Sequence, residues 1–373
     1  MNGGDIFRDI ETLIFEHTPD SLEISDGHKR FIRNFLQHHD ASSAAQLFNF
    51  IHRVQEKEPL YNLLKELRRY ERNFLDIVPE NREHFVHSAS VYVLGLGIYN
   101  ASNDFRQAVI TERHQPDSTH AQKTSFLFRW SLAACLHDLA YPLELNIKSF
   151  NKYSKRLHGI DDENCSFLTI NHDIYELFNI LPIIKPDSGM SDIQRDTALG
   201  LIANFLTSKR NRNSRVTYDT LLTIIERYLK NGLDSGQIDH GAFSAFVLLK
   251  LVHDLYEKSD WDIRNFYYEV VDSATAIFLH NAYKYSMLRD IYGEGKYKYD
   301  SPSPLGYLLY FCDSICEWLR SESSRKDFKL FRITVADDRI NFRIHKSFEA
   351  KIEESAALFD KRAPVRIEYF GTD

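Results

Sequence analysis

The sequence of 373 residues predicts a mainly α-helical protein that carries a small β-containing lobe at its C-terminal end. Up to residue 320, apolar residues recur at spacings of three and four, as a helix with one buried face requires. From residue 326 the pattern changes to two short strand-like runs, 328–335 and 339–348, which are joined by a turn. A helix near 347–361 and a strand over 364–370 complete a predicted β-β-α-β appendage.

Five apolar stretches are the strongest candidates for buried helices. They cover 82–100, 124–139, 239–256, 263–283 and 305–320. The first stretch includes small residues such as Gly95, which let another helix approach closely. Residues 143–236 are less regular, with two amphipathic pieces near 165–181 and 193–207 and a further helix for which Gly232 is the predicted C-cap.

These patterns divide the chain into three predicted units. Residues 1–80 form an N-terminal helical segment, which either packs on the main domain or mediates a homodimer. Residues 81–325 form the main domain, with an insertion at about 143–236. Residues 326–373 form the small α+β lobe.

Composition and charge restrict the class of protein. Hydrophobic residues make up 43% of the chain and the formal net charge is −7, so a large nucleic-acid footprint is not expected from the overall charge. A local basic strip at 209–215 is interpreted either as a solvated loop or as part of a positive groove. The four scattered cysteines, the lack of a signal peptide and the lack of an 18-residue apolar run predict a cytoplasmic protein that does not enter a membrane.

The apolar helices each carry a histidine or aspartate at a position that a hydrophobic core disfavours. These residues are His87, His137, Asp138, His240, His280 and Asp313. An unpaired charge buried among apolar groups is very costly, so such residues persist when they are paired, hydrogen-bonded or bound to a metal. Each one alone has a simpler explanation as a satisfied core residue, and Asp313 has Arg320 as a candidate ion-pair partner.

The adjacent residues His137 and Asp138 impose a geometric condition. Both can face one site only if the helix over 124–139 ends there, and the nearby Pro142 favours such an ending.

In four windows the chain resembles the HD superfamily of metal-dependent phosphohydrolases. The windows are His87–Val91, Ala134–Leu139, Asp239–Ala245 and Leu308–Arg320, and His280–Asn281 fits the remaining histidine of the family. The form of the second and third windows is most similar to an HD subgroup found in bacterial conflict and stress operons. The chain departs from many relatives at Leu139-Ala140-Tyr141, because the lysine that often contacts phosphate is missing, and it has no GYP signature.

The resemblance implies an HD-type helical bundle that holds two divalent metal ions, with manganese, iron, nickel, cobalt and zinc as candidates. The ligands of the first metal would be His87, His137, Asp138 and Asp313. The ligands of the second would be Asp138, His240 and His280, so that Asp138 bridges the two. The implied reaction is hydrolysis of a phosphate ester by a metal-activated hydroxide.

Three further residues are candidates for substrate contacts or proton transfer. His84 lies three residues before His87, on the same helix face, and some relatives have a proton-donating histidine four residues before this ligand; a role in supporting the ligands is the alternative. Arg82 could contact phosphate or form a surface ion pair. Tyr141, at the position of the missing lysine, is a candidate substrate-binding residue.

We therefore expect an enzyme, a phosphodiesterase or phosphatase, whose substrate is a nucleotide or another small phosphorylated molecule. One alternative is a metal-dependent nuclease on single-stranded nucleic acid, which the overall charge does not favour. The other is a non-catalytic sensor that binds a partner protein.

Overall fold

The computed structural model of the chain describes sixteen segments. They are residues 6–16, 24–54, 58–75, 84–111, 119–160, 166–170, 172–179, 197–208, 217–257, 269–282, 299, 303–320, 331–336, 339–349, 359 and 362–371.

The described residues are mainly helical, as predicted. The helices are α1 (Ile6–Phe15), α2 (Asp26–His38), α3 (Ala41–Val54), α4 (Glu58–Leu75), α5 (His84–Ala101), α6 (Asn103–Thr111), α7 (Thr119–Leu136), α8 (Tyr141–His158), α9 (His172–Asn179), α10 (Ala198–Ser208), α11 (Tyr218–Asp234), α12 (His240–Glu257), α13 (Val271–Ala282) and α14 (Pro304–Arg320).

A three-stranded sheet forms the C-terminal part, which confirms the predicted β-containing lobe. Its strands are β1 (Phe331–Ala336), β2 (Arg339–His345) and β3 (Val365–Phe370), in the order β1-β2-β3. Strand β2 pairs with β1 in the antiparallel sense and with β3 in the parallel sense, and a parallel pair requires a crossover connection. Most of the helix predicted near 347–361 lies outside the described residues. The connection after β2 begins with the short 3₁₀ turn Lys346–Phe348.

Five helices, α5, α7, α12, α13 and α14, form the centre of the molecule. Helix α13 packs against α7, α12 and α14, and α5 packs against α7 and α14. These five helices correspond to the five apolar stretches of the sequence. Because each of them, or the turn that follows α7, carries one or two of the candidate ligands, their packing brings the ligands together.

Gly95 allows α5 and α7 to approach closely. A Cβ atom at this position would lie 2.0 Å from Cζ2 of Trp130, whose ring occupies the space. The indole Nε1 of Trp130 donates a hydrogen bond of 2.8 Å to the carbonyl oxygen of Tyr92. The prediction that a small residue in this helix serves a close helix contact is therefore confirmed, with Trp130 as the group that needs the space.

Two features of the region 143–236 differ from the sequence prediction. Helix α8 covers Tyr141–His158 and so extends into the region 143–236, which the sequence predicts to be less regular. Gly232 is not a C-cap, since α11 continues to Asp234 and Ser235 is the capping residue. The left-handed residue at this end of the helix is Gly236, with a φ of 70°.

The N-terminal helices contact both the centre of the molecule and the C-terminal sheet. Helix α1 packs against α5 and β1, and the carboxylate of Asp9 accepts a hydrogen bond of 2.9 Å from the backbone N–H of Ile333. The predicted boundaries near residues 80 and 326 stay predictions. No helix in the described part of the chain is both long enough and apolar enough to cross a membrane.

His28 is a buried histidine far from the candidate ligands in the sequence. Its Nε2 atom lies 3.1 Å from the hydroxyl of Tyr92. Burial lowers the pKa of His28 to about 4 and raises that of Tyr92 well above its usual value. The tyrosine hydroxyl therefore donates this hydrogen bond to a neutral imidazole.

We predict that His28 makes the protein less stable in mild acid. Its pKa is lower in the folded than in the unfolded chain, so its contribution is present above about pH 6.5 and is lost as the pH falls toward 4. The loss should reach about 2 kcal/mol at pH 5. Urea unfolding at pH 7.5 and pH 5 measures it, and His28→Gln should remove this part of the pH dependence. An equal dependence in wild type and His28→Gln would contradict the assignment; His38→Gln, at an exposed position of α2, is the control.

Candidate metal centre

The turn after α7 places two adjacent ligands at one site. Helix α7 ends at Leu136, and His137 to Ala140 form a turn in which the N–H of Tyr141 donates to the carbonyl of Asp138 at 2.9 Å. Pro142 then lies in the first turn of α8, where its missing N–H costs no hydrogen bond. Helix α7 therefore ends just before His137 and Asp138, as predicted, and this ending allows both side chains to face the same site.

The first group of candidate ligands contains His87, His137, Asp138 and Asp313. Nε2 of His87 lies 2.8 Å from Oδ1 of Asp313 and 3.9 Å from Oδ2 of Asp138. Nε2 of His137 lies 3.2 Å from Oδ2 of Asp138 and 3.7 Å from Oδ1 of Asp313. The two histidines and Asp138 are buried, while the side chain of Asp313 is 16% exposed and forms an open edge of the group.

The second group contains Asp138, His240 and His280. Nε2 of His240 lies 3.3 Å from Oδ1 of Asp138. The His280 ring lies near those of His137 and His240, at centroid distances of 5.1 and 5.3 Å. In each of the sets His87–His137–Asp138 and Asp138–His240–His280, the available ligand atoms lie within 4.8 Å of one another. Asp138 belongs to both sets, and its two oxygens face different histidines.

Three of the histidines are oriented by hydrogen bonds from Nδ1. The Nδ1–H of His137 donates to the carbonyl of Ala134 at 3.0 Å, and that of His280 donates to the carbonyl of Ile277 at 2.5 Å. Nδ1 of His240 contacts Oε2 of Glu144 at 2.5 Å. These acceptors hold the proton on Nδ1 and leave Nε2 as the ligand atom, which is the usual arrangement of metal-binding histidines. The Nε2 atoms of His137 and His240 face the shared carboxylate.

Two of these Nε2 atoms have no hydrogen bond. Within the described residues, Nε2 of His137 and Nε2 of His280 are buried and without a hydrogen-bond partner, although Oδ2 of Asp138 approaches the former. A buried polar atom without a partner is costly. A divalent cation would satisfy both atoms, so the buried His/Asp groups fit a metal ion.

The electrostatics of the cluster favour positive charge. Burial by itself would raise the pKa of Asp138, but the histidines His137 and His84 hold it well below its usual value. Asp313 behaves in the same way, through His137 and His87. Burial would lower the pKa of His137, yet the two aspartates outweigh it and raise the pKa to about 10. In the metal-free protein a proton on this histidine supplies positive charge that a cation could replace.

Glu144 is a member of the site that the sequence prediction missed. It is buried in the first turn of α8, bonded to His240, and it pairs with Lys148. Burial would raise its pKa, but His240 and Lys148 lower it to about 2, while the pKa of His240 rises to about 9 because its hydrogen bonds to Asp138 and Glu144 outweigh burial. Glu144 was missed because α8 was not predicted; a helix start at Pro142 would have placed this acid in a first turn beside the doublet.

His84 and Tyr141 lie at the edge of the centre. Nδ1 of His84 bonds to Oδ2 of Asp138 at 2.7 Å, and its backbone N–H donates to Oε1 of Glu71 at 2.7 Å. The Tyr141 ring lies 3.7 Å from the His84 ring and 5.6 Å from the His240 ring, measured between centroids. Both residues therefore belong to the site. Arg82 and the basic strip at 209–215 lie outside the described residues.

The motif Asp239-His240-Gly241 has a local explanation. Oδ1 of Asp239 accepts hydrogen bonds from the N–H of Ala242 at 3.1 Å and from Nδ2 of Asn281 at 3.0 Å, which ties the start of α12 to α13. A Cβ atom at Gly241 would lie only 2.9 Å from the carbonyl oxygen of Ile277. The aspartate and the glycine thus set the close contact that brings His240 to His280.

No family model, no curated protein and no solved structure matches the chain. The class of site is accordingly defined by its own geometry, as a buried His/Asp cluster that could hold a metal ion.

We predict that Glu144 supports metal binding through His240. Replacing Glu144 with alanine removes the acceptor that orients the imidazole, and the loss of such a partner lowers metal affinity by about 10- to 100-fold. Isothermal titration of EDTA-treated protein with Mn²⁺ measures this affinity. Lys148→Ala is the matched control, since it removes the other partner of Glu144 and leaves the bond to His240 in place. Unchanged affinity in Glu144→Ala, or an equal loss in Lys148→Ala, would refute the assignment.

Proposed function

We propose that the chain is a metal-dependent phosphohydrolase of the HD type, which cleaves a phosphate ester of a nucleotide or nucleotide-derived substrate. The observation that carries the proposal is the position of Asp138 between two buried groups of candidate ligands. A carboxylate shared in this way is suited to two divalent cations. The order of the ligands along the chain agrees with the resemblance to the HD superfamily.

Divalent cations at these groups would lower the pKa of a coordinated water and neutralise negative charge on a phosphate. The residues of the chain contribute orientation and exclusion of water. The hydrogen bonds from Nδ1 to Ala134, Ile277 and Glu144 fix three imidazoles. Apolar helices surround the cluster, so its charges act in a medium of low dielectric constant.

His84 supports the proposal as a positioning residue. Its hydrogen bond to Oδ2 of Asp138 fixes the carboxylate plane, so that Oδ1 remains directed to His240. Its proton-donating role stays a prediction. Tyr141 is half-buried beside it and is the described residue best placed to contact a substrate that enters along α8.

Hydrolysis of model esters tests the proposed function. We expect EDTA-treated protein to be inactive on bis(p-nitrophenyl) phosphate and on p-nitrophenyl phosphate, and one of Mn²⁺, Fe²⁺, Co²⁺, Ni²⁺ or Zn²⁺ to restore hydrolysis. His137→Ala and Asp313→Ala should lower kcat/KM by about 100-fold or more, because each removes a metal ligand. The exposed His38→Ala is the control.

Each outcome of this experiment distinguishes among the alternatives. Hydrolysis that persists in EDTA, or in His137→Ala, would rule out the proposed centre. Metal binding without hydrolysis of either ester, or of a panel of nucleotides, would favour the non-catalytic alternative.

A further inference from the structure

The exposed hydrophobic residues of the protein are concentrated in one place. Among the described residues, all the large hydrophobic side chains that are exposed lie on α8 or in the segment just after it, with exposures between 40% and 65%. They are Phe150, Tyr153, Leu157, Phe167 and Leu168. A contiguous exposed apolar patch marks a binding surface more often than chance.

Exposed cations run beside this patch along the same helix. Lys148, Lys152 and Arg156 follow one another at intervals of four residues, so they line one side of α8 at a rise of about 6 Å per interval. Phe150, Tyr153 and Leu157, at intervals of three and four, form a neighbouring stripe. The two stripes are called the α8 surface below.

The α8 surface is held in place by buried contacts. Glu144, Ile147, Asn151 and Ser154 form the buried face of the helix. The side-chain oxygen of Asn151 accepts hydrogen bonds from the N–H groups of Phe167 at 2.9 Å and Leu168 at 2.7 Å, and its Nδ2 donates to the carbonyl of Leu168. The segment with Phe167 and Leu168 is thus fixed alongside the helix.

The same helix reaches the candidate metal centre. Its first residue, Tyr141, contacts the rings of His84 and His240, and Glu144 orients His240. Lys148 is one helical turn further along. A ligand that lies along α8 therefore has one end beside the centre.

We propose that the α8 surface binds single-stranded nucleic acid and presents one of its phosphodiesters to the metal centre. The phosphates would follow the basic stripe, and unstacked bases would lie against Phe150 and Tyr153. A positive track beside aromatic side chains is the general recognition mode for single strands. This inference names the substrate class of the proposed phosphohydrolase and rests on it only for the cleavage step.

Other anionic partners fit the α8 surface less well. At 100° per residue, the cations lie on only one side of the apolar stripe, and the other side meets the buried face of the helix at Ser154 and Ile147. An interfacial membrane helix would place its apolar stripe between flanking cations. Duplex nucleic acid hides the base faces and would leave the aromatic side chains without a role. The overall charge argued against nucleic acid, but this basic stripe is local.

Fluorescence anisotropy of labelled 20-nucleotide dT and rU strands tests the proposal, in EDTA so that no hydrolysis occurs. In Lys152→Glu/Arg156→Glu the slope of log affinity against log salt should fall in magnitude by about 1.4, at about 0.7 per lost phosphate contact. In Phe150→Ser/Tyr153→Ser affinity should fall by about tenfold or more with an unchanged slope, because stacking is lost. Lys148 is left intact because it pairs with Glu144.

The controls separate this proposal from the proposed function. Arg227→Glu/Lys230→Glu makes the same charge change at exposed positions of α11 and should bind like wild type. Thermal unfolding confirms that each variant is folded. No binding by wild type, or equal losses in the α8 and α11 charge variants, would overturn the proposal. Binding to vesicles with anionic lipid that depends on the α8 surface, without strand binding, would assign a membrane instead. None of these results affects the model-ester assay, because the small esters do not require the exposed α8 surface.

Discussion

The structure depends on the burial of the Asp138 carboxylate where five helices meet. A buried carboxylate needs compensating charge and hydrogen bonds, and here the compensation comes from His84, His87, His137 and His240. Asp138, Asp313 and Glu144 together place three acidic side chains in one apolar core. Such a concentration of negative charge is costly without cations. Within the described cluster the chain provides the ammonium group of Lys148, which pairs with Glu144, and protons on the histidines.

Close contacts between helices bring the ligands of this cluster together. Gly95 lets α7 approach α5, and Gly241 lets α12 approach α13, so small residues stand where helices that carry ligands meet. The turn after α7 reverses the chain at the ligands and starts α8, which returns Glu144 to His240. Helix α8 then continues to the exposed α8 surface. The same helix therefore contacts the candidate metal centre at its start and carries the proposed substrate-binding surface further along.

Much of the fold and of the cluster could be predicted from the sequence, because a histidine or aspartate in an apolar helix is a strong and local signal. His87, His137, Asp138, His240, His280 and Asp313 do converge. Helix α8 was missed because its exposed face is partly hydrophobic, which obscures the periodicity of the buried face. The predicted cap at Gly232 is wrong because local composition does not show that α11 continues to Asp234. The roles of Glu144 and Glu71 depend on contacts between residues distant in sequence, which periodicity does not report.

The most direct test of the account is the metal stoichiometry of the purified and reconstituted protein by elemental mass spectrometry. The account predicts about two divalent metals per chain in wild type, about one in His280→Ala, and none in Asp138→Ala, because both groups share this carboxylate. A single metal in wild type, or one metal retained in Asp138→Ala, would contradict the shared position of Asp138. No metal after reconstitution would leave the six converging residues as a polar core without a cation.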